Sequence, residues 1–151
     1  MFDEKSDGRF AQSELCGVAL NGKECAMAFW IFMLVMDLLL PFTMIGFGRY
    51  FLKKGPKEIN AYFGYRTSMS MKNKDTWKYA HQYCGRIWFI CGWILLPITV
   101  LLMCLVFGKS EDTVGITGGV ICGGHLIFVI GSVFPTEIAL RRTFDRNGNR
   151  R

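Results

Sequence analysis

Asp37 and His125 are the two side chains of this 151-residue chain best placed for proton chemistry inside a membrane. Each lies near the middle of an apolar run, Asp37 in residues 26–48 and His125 in residues 114–134. Charge in hydrocarbon is costly, so a hydrogen bond between the carboxylate and the imidazole would lower that cost and could hold or relay a proton. The alternatives are a purely structural polar contact, or a protonated Asp37 bonded to a neighbouring helix.

The positions of these two residues within their runs predict that they meet. Asp37 and His125 each lie eleven residues after the start of the run, a depth of about 16 Å in a helix. Pro41, one turn after Asp37, leaves the carbonyl of Asp37 without its helical hydrogen bond and permits a kink. We therefore expect a direct contact between the carboxylate and the imidazole at the middle of the membrane.

A second candidate site is the polar loop that contains Arg66, Thr67 and Ser70, just ahead of a predicted helix. A guanidinium, hydroxyl groups and the free N–H groups of a helix N-terminus together can bind a phosphate, a lipid headgroup or a carboxylate. The alternative is that Arg66 only fixes the loop, by pairing with Glu58, Glu137 or backbone carbonyls.

The helix after this loop is predicted to have one aromatic and one basic face. The residues of the aromatic face recur every three or four positions: Trp77, His81, Cys84, Trp88, Cys91 and Leu95. The residues of the basic face recur at every fourth position: Lys74, Lys78, Gln82 and Arg86. We expect one continuous helix, capped by Ser70 or Asn73, with its basic face toward headgroups or solvent.

Catalysis is not expected from this sequence. It has no serine nucleophile elbow, P-loop or zincin helix, and no Cys/His cluster with zinc-site spacing. His81 and Cys84 have the spacing of a base and a nucleophile, but both belong to the apolar face of a helix that enters the membrane. The sequence therefore predicts neither an enzyme nor a bound metal or cofactor.

Three apolar runs are each long enough to cross a bilayer. Residues 26–48 contain one charged residue, 87–107 contain none, and 114–134 contain none apart from the titratable His125. As helices they cover about 30 Å each, the thickness of the hydrocarbon core. The predicted fold is an all-α membrane protein with three transmembrane helices, the second extended into the cytoplasm by an amphipathic N-terminal portion.

The distribution of Lys and Arg predicts the orientation. Nine lie between the first and second runs and five after the third, which places fourteen on one side of the membrane. The four that lie before the first run or between the second and third runs fall on the opposite side. The positive-inside rule then places the N-terminus outside and the C-terminus in the cytoplasm. The predicted parts are an exterior segment 1–25, a membrane domain 26–135 with a cytoplasmic loop and helix entry at 49–86, and a basic tail 136–151. The net charge of +6 follows from this topology and favours anionic lipid, not nucleic acid.

Two further patterns leave alternatives open. Cys16 and Cys25 fall in the predicted exterior segment, where a disulfide could form if that side is oxidising. Gly115, Gly119 and Gly123 recur every four residues, which allows another helix to approach closely. That helix could belong to the same chain or to a second copy in a homo-oligomer, and packing within the chain is favoured.

The polar loop and the helix after it also carry a family resemblance. The residues concerned are Gly64-Tyr65-Arg66-Thr67, Ser70, Trp77, Ala80-His81 and Gly85. In this order, running into an apolar helix, they resemble the signature of the SdpI family of small bacterial membrane proteins. The likeness covers residues 26 to about 110, and the chain resembles the C-terminal part of longer members, the part that bears the GYRT motif.

The resemblance implies a three-helix unit in a bacterial cell membrane. The family is named after an immunity protein that protects its producer from a secreted toxin and sequesters a transcriptional repressor at the membrane. Partners implied for this chain are a toxin peptide or a cytoplasmic repressor. The residues predicted to bind a partner or an anion are Tyr65, Arg66, Thr67, Ser70, Trp77 and His81.

Three functional hypotheses follow. The leading one is an immunity or signalling protein that binds a partner at the Arg66 loop without chemical turnover. The second is a small transporter or proton-coupled subunit that uses Asp37 and His125, and the third is a scaffold that binds anionic lipid. A polar cavity joining Asp37, His125 and the loop would favour transport, whereas a dry helix core would favour either of the others.

Overall fold

The computed structural model describes residues 4–56, 58–59 and 64–151, with side chains from residue 22 onward. The chain forms four helices, α1 (Glu4–Lys53), α2 (Lys74–Leu105), α3 (Glu111–Gly131) and α4 (Val133–Thr143). Three stretches are long and apolar enough to cross a membrane, namely Gly22–Lys53, Lys74–Leu105 and Glu111–Thr143. The prediction of an all-α protein with three helices long and apolar enough to span a membrane is confirmed, and the described residues contain no strand beyond one isolated bridge.

The ends of α1 and α4 differ from the segments predicted from apolar runs. α1 already begins at Glu4, so its backbone continues through most of the segment expected to lie outside the membrane. The side chain of Cys16 lies outside the described residues, and its disulfide with Cys25 therefore stays a prediction. At the other end, α4 begins at Val133 and takes in part of the predicted tail.

The start of α2 is fixed by a capping box. The Asn73 side chain accepts a hydrogen bond from the N–H of Thr76 at 2.8 Å, and the Thr76 hydroxyl accepts one from the N–H of Asn73 at 3.1 Å. These bonds satisfy donors that the first helical turn leaves free. The aromatic and basic faces are as predicted, because Trp77 is buried and Lys74 and Lys78 are exposed.

Glycines let α1 and α2 pack backbone against backbone. A Cβ atom at Gly48 would lie 2.6 Å from the nitrogen of Phe89, and one at Gly85 would lie 3.0 Å from the carbonyl oxygen of Gly48. Gly92, two turns after Gly85, lies equally close to α1, since a Cβ there would be 3.0 Å from the Pro41 oxygen. Such close approach strengthens packing between helices in lipid, where burial of apolar surface gives no advantage.

The contact of α3 with α1 runs through Gly118 and through Gly115, one of the three glycines of the predicted ridge. A Cβ at Gly118 would meet Met33 and the Asp37 carboxylate, and one at Gly115 would touch Phe29 at 3.6 Å. By contrast, a Cβ at Gly119 or Gly123 would find no atom within 4 Å in this single copy. Packing of those two glycines against a second copy stays a prediction.

The C-terminal residues form a hairpin that docks on the start of α2. Phe144 bridges to Arg150, and the Asp145 carboxylate accepts hydrogen bonds from the N–H groups of Asn147 and Asn149, each at 2.8 Å. These bonds hold the pKa of Asp145 below its usual range, and the bond from the N–H of Asn149 has the largest effect. Because the Asn73 amide donates to the carbonyl of Gly148 at 2.6 Å, the hairpin is joined to the capping box. The predicted basic tail is thus ordered.

Candidate ligand-binding loop and cavity

His81 of α2 holds the loop that begins at Gly64. Its Nδ1–H donates to the carbonyl of Trp77 at 2.8 Å, which leaves Nε2 to accept the backbone N–H of Tyr65, also at 2.8 Å. The ring is 1% exposed and packs between Phe51 and Trp77, with centroid distances of 5.0 and 4.3 Å. Gly64 has φ +116°, and a Cβ there would overlap the imidazole, so this position requires glycine.

Ser70 and Thr67 close the loop on itself. The Ser70 hydroxyl accepts the N–H of Thr67 at 2.8 Å and donates to the carbonyl of Tyr65 at 3.1 Å. In return the Thr67 hydroxyl accepts the N–H of Ser70 at 3.2 Å. Arg66 lies inside this ring of bonds, so its backbone position is set by its neighbours.

Tyr65 and Trp77 tie the loop to other parts of the chain. The Tyr65 hydroxyl donates to the carbonyl of Val133 at 3.1 Å, and the Trp77 indole donates to the carbonyl of Pro56 at 2.9 Å. Burial, and after it the negative charge of Glu137, raises the pKa of Tyr65 to about 12. The loop is therefore attached both to the start of α4 and to the turn after α1.

The six residues predicted to bind a partner or an anion divide into two groups. Tyr65, Ser70, Trp77 and His81 are buried, and their polar atoms bond within the protein. Thr67 is partly exposed and Arg66 is exposed. Of this set, Arg66 presents an exposed charge, and the buried residues fix the loop that carries it.

Arg66 has no ion pair in the part of the chain that the structure describes. The pairing with Glu137 suggested by the sequence is not formed, because a Glu137 oxygen accepts from Arg141 at 3.0 Å. An exposed guanidinium on a fixed backbone remains available to a carboxylate or a phosphate.

A cavity of about 480 Å³ opens beside Arg66. Its apolar walls come from three parts of the fold, with Met44 and Phe47 from α1, Trp88 from α2, and Val129 and Val133 from the junction of α3 and α4. Phe47 and Val133 are 41% and 40% exposed, so the cavity borders the outer surface of the helix bundle. Sequence reasoning missed this cavity because its walls are distant from one another along the chain.

Asp37 and His125 are buried, at 1% and 3% exposure, but they do not meet. His125 Nε2–H donates to the Thr99 hydroxyl at 3.0 Å, since that hydroxyl itself donates to the carbonyl of Leu95. The Asp37 carboxylate points at Gly118, where a Cβ would be 3.1 Å from Oδ2.

The direct contact between Asp37 and His125 was therefore a wrong prediction. Gly118 and His125 are seven residues apart on α3, which separates them by about 10 Å along the helix axis. Counting depth from the start of each run does not determine the direction in which a carboxylate points. Asp37 Oδ2 and His125 Nδ1 have no hydrogen-bond partner among the described residues.

Comparison with known proteins identifies a shared region. The sequence model of the SdpI/YfhL protein family matches residues 57–136, which include the Arg66 loop, α2 and α3. No match was found among curated proteins or among solved structures. The matched region leaves out α1, which supplies one wall of the cavity.

Proposed function

Because this chain belongs to the SdpI/YfhL protein family, we propose that it is a membrane immunity or signalling protein that binds a hydrophobic toxin peptide without chemical turnover. The observation that carries this proposal is the position of Arg66, an exposed charge on a fixed loop beside an apolar cavity. Its role is to bind an anionic or polar group of the peptide while an apolar side chain enters the cavity.

The chemistry of the cavity supports binding over catalysis. Its volume lies in the range of about 300–1,000 Å³ typical of small-ligand sites, and apolar walls with one charged group are typical of recognition. The hydrogen bonds of His81 and Ser70 already order the loop, so binding costs little further entropy there. The walls include neither Asp37 nor His125, which favours this proposal over transport.

The proposed orientation follows from the basic residues, with the N-terminus outside and the loop and C-terminus in the cytoplasm. The cavity would then lie near the cytoplasmic surface of the membrane, where a toxin that has inserted from outside would reach it. The cytoplasmic extension of α2 belongs to the same proposal.

Protection of a sensitive bacterium tests this function. Cells that express the wild-type chain, Arg66→Ala or Arg142→Ala are challenged with the secreted toxin that the family's name-giving member neutralises. Arg142 is also exposed but does not line the cavity, which makes it the matched control. We expect protection by the wild type and by Arg142→Ala, and its loss in Arg66→Ala at an equal membrane level.

Two outcomes would contradict the proposal. Full protection by a well-expressed Arg66→Ala would remove Arg66 from the binding site. Unchanged protection together with the loss of a repressor from the membrane fraction would assign Arg66 to a cytoplasmic regulatory partner instead.

A further inference from the structure

A cleft of about 330 Å³ lies on the other side of the loop, between α4 and the C-terminal hairpin. Its walls carry four basic side chains, Lys72, Arg141, Arg146 and Arg151, and two acidic ones, Glu137 and Asp145. The hairpin bonds of Asp145 and the bond from Asn73 to Gly148 fix the backbone that presents Arg146. This cleft is distinct from the Arg66 cavity.

The positive charge of the basic side chains in the cleft is larger than the negative charge of its acidic side chains. Within the described residues, the ion pair of the cleft joins Arg141 to Glu137, while Lys72, Arg146 and Arg151 have no ion pair. The Asp145 carboxylate is occupied by backbone N–H groups of its own hairpin. The cleft is therefore suited to an anion.

Glu137 adds a second requirement to the ligand. Its Oε1 accepts from Arg141, but its Oε2 is buried and has no hydrogen-bond partner among the described residues. A buried carboxylate oxygen without a donor is unfavourable, so a ligand that also carries a hydroxyl group would satisfy it.

The surface beside the cleft is apolar. Phe134 and Ile138 are 71% and 51% exposed. Ile138 follows Phe134 by four residues and Arg141 follows Ile138 by three, so all three lie on one face of α4. Exposed apolar side chains followed within one turn by arginine are typical of the boundary between hydrocarbon and headgroups. A lipid lying along Phe134 and Ile138 would bring its headgroup to the cleft.

We propose that this cleft binds the headgroup of an anionic phospholipid that also bears hydroxyl groups, such as phosphatidylglycerol. Arg146, Arg151 and Lys72 bind the phosphate, and a glycerol hydroxyl donates to Glu137 Oε2. The acyl chains lie against Phe134 and Ile138. This site is independent of the function proposed for Arg66.

Native mass spectrometry tests the site on the full chain, purified with phosphatidylglycerol, phosphatidic acid or phosphatidylcholine. We expect phosphatidylglycerol to be retained most, phosphatidic acid less and phosphatidylcholine least. The double variant R146Q/R151Q should lower the fraction bound to phosphatidylglycerol by about fivefold for each arginine. The control R142Q/R150Q removes the same charge from exposed residues outside the cleft and should leave that fraction nearly unchanged.

Gly148→Ala separates geometry from charge. A Cβ at Gly148, where φ is +86°, would lie 2.7 Å from the Asn73 amide nitrogen, so the hairpin must move although every charge remains. We expect less bound phosphatidylglycerol in this variant too. Three results would overturn the lipid site: equal loss of bound lipid in both double variants, retention of phosphatidylcholine equal to that of phosphatidylglycerol, or displacement of the lipid by soluble glycerol 3-phosphate. Retention of phosphatidic acid equal to that of phosphatidylglycerol would overturn the role of Glu137.

Discussion

The backbone N–H of Tyr65 donates to Nε2 of His81 across 2.8 Å, so a helix side chain fixes the loop one residue before Arg66. This bond requires Nε2 to lack a proton, a condition met because Nδ1–H donates to the carbonyl of Trp77. The position of the exposed charge therefore depends on a buried imidazole.

His81→Phe should destabilise the folded protein by about 1–3 kcal/mol, because the N–H of Tyr65 would be buried without an acceptor. Unfolding in detergent, followed by tryptophan fluorescence, measures the loss. His81→Gln offers a carbonyl oxygen as acceptor and should recover part of the stability. If phenylalanine and glutamine give the same stability, the hydrogen bond has no net effect.

Gly64→Ala should cost about 2 kcal/mol or more, because alanine disfavours positive φ and its Cβ would overlap the His81 ring. Gly46→Ala is the control, since a Cβ there meets no atom within 4 Å and alanine favours helix. Thermal unfolding of the two variants measures the contrast. Equal midpoints would contradict the close contact between Gly64 and His81.

Gly118→Ala should weaken the packing of α3 on α1, because its Cβ would meet Met33 and the Asp37 carboxylate. Gly119→Ala should not lower the unfolding midpoint of the monomer and should raise it slightly, because nothing lies within 4 Å of its Cβ and alanine favours helix. Sedimentation in detergent adds a second measurement. A change of association state in Gly119→Ala would assign that glycine to contact with a second copy.

Asp37→Asn should keep full protection and lose no stability, because Oδ2 of the carboxylate has no partner that the amide would forfeit. The protection assay and unfolding in detergent check the two statements. Loss of protection with stability retained, or a proton flux in vesicles that the variant abolishes between pH 5 and 8, would restore Asp37 to a functional role.

High pH should destabilise the fold through Tyr65. The pKa of this phenol is raised from 10.0 to about 12 in the folded chain, so the unfolded chain loses its proton first. Its contribution to stability is complete below pH 10 and is lost as the pH rises toward 12.

Tyr65→Phe isolates this contribution from the other groups that titrate at high pH. The variant lacks the hydrogen bond to Val133 and should be about 1 kcal/mol less stable at pH 8. The difference from the wild type should narrow as the pH rises above 10. A constant difference across unfolding curves from pH 8 to 12 would show that Tyr65 does not titrate as described.

Local patterns predicted α2 well because helical periodicity and capping depend on residues close in sequence. Asn73 caps the helix, and the basic ridge at Lys74 and Lys78 is exposed as its spacing indicated. The role of His81 was harder to predict. Its acceptor function depends on a loop backbone sixteen residues away in sequence, which periodicity does not describe.

Contacts between elements far apart in the chain could not be predicted from the sequence. The alignment of Asp37 with His125 failed because depth in a helix does not specify which neighbour a side chain faces. The cavity beside Arg66 needs Phe47, Trp88 and Val133 together, and no spacing in the sequence relates these three. Gly85 and Gly92, at a spacing of seven, were a usable signal for the close approach of α1 and α2.

The cavity is assembled from a region that matches the family model and a region that lies outside it. Arg66 and Trp88 lie within the region that matches the family, residues 57–136, whereas Met44 and Phe47 come from the helix before it. Substitutions at Met44 and Phe47 can therefore alter the shape of the cavity without removing a hydrogen bond of the loop that presents the arginine. Under the function proposed above, the α1 wall is therefore the part of the cavity where substitutions would change which peptide side chain fits, while Arg66 stays in place.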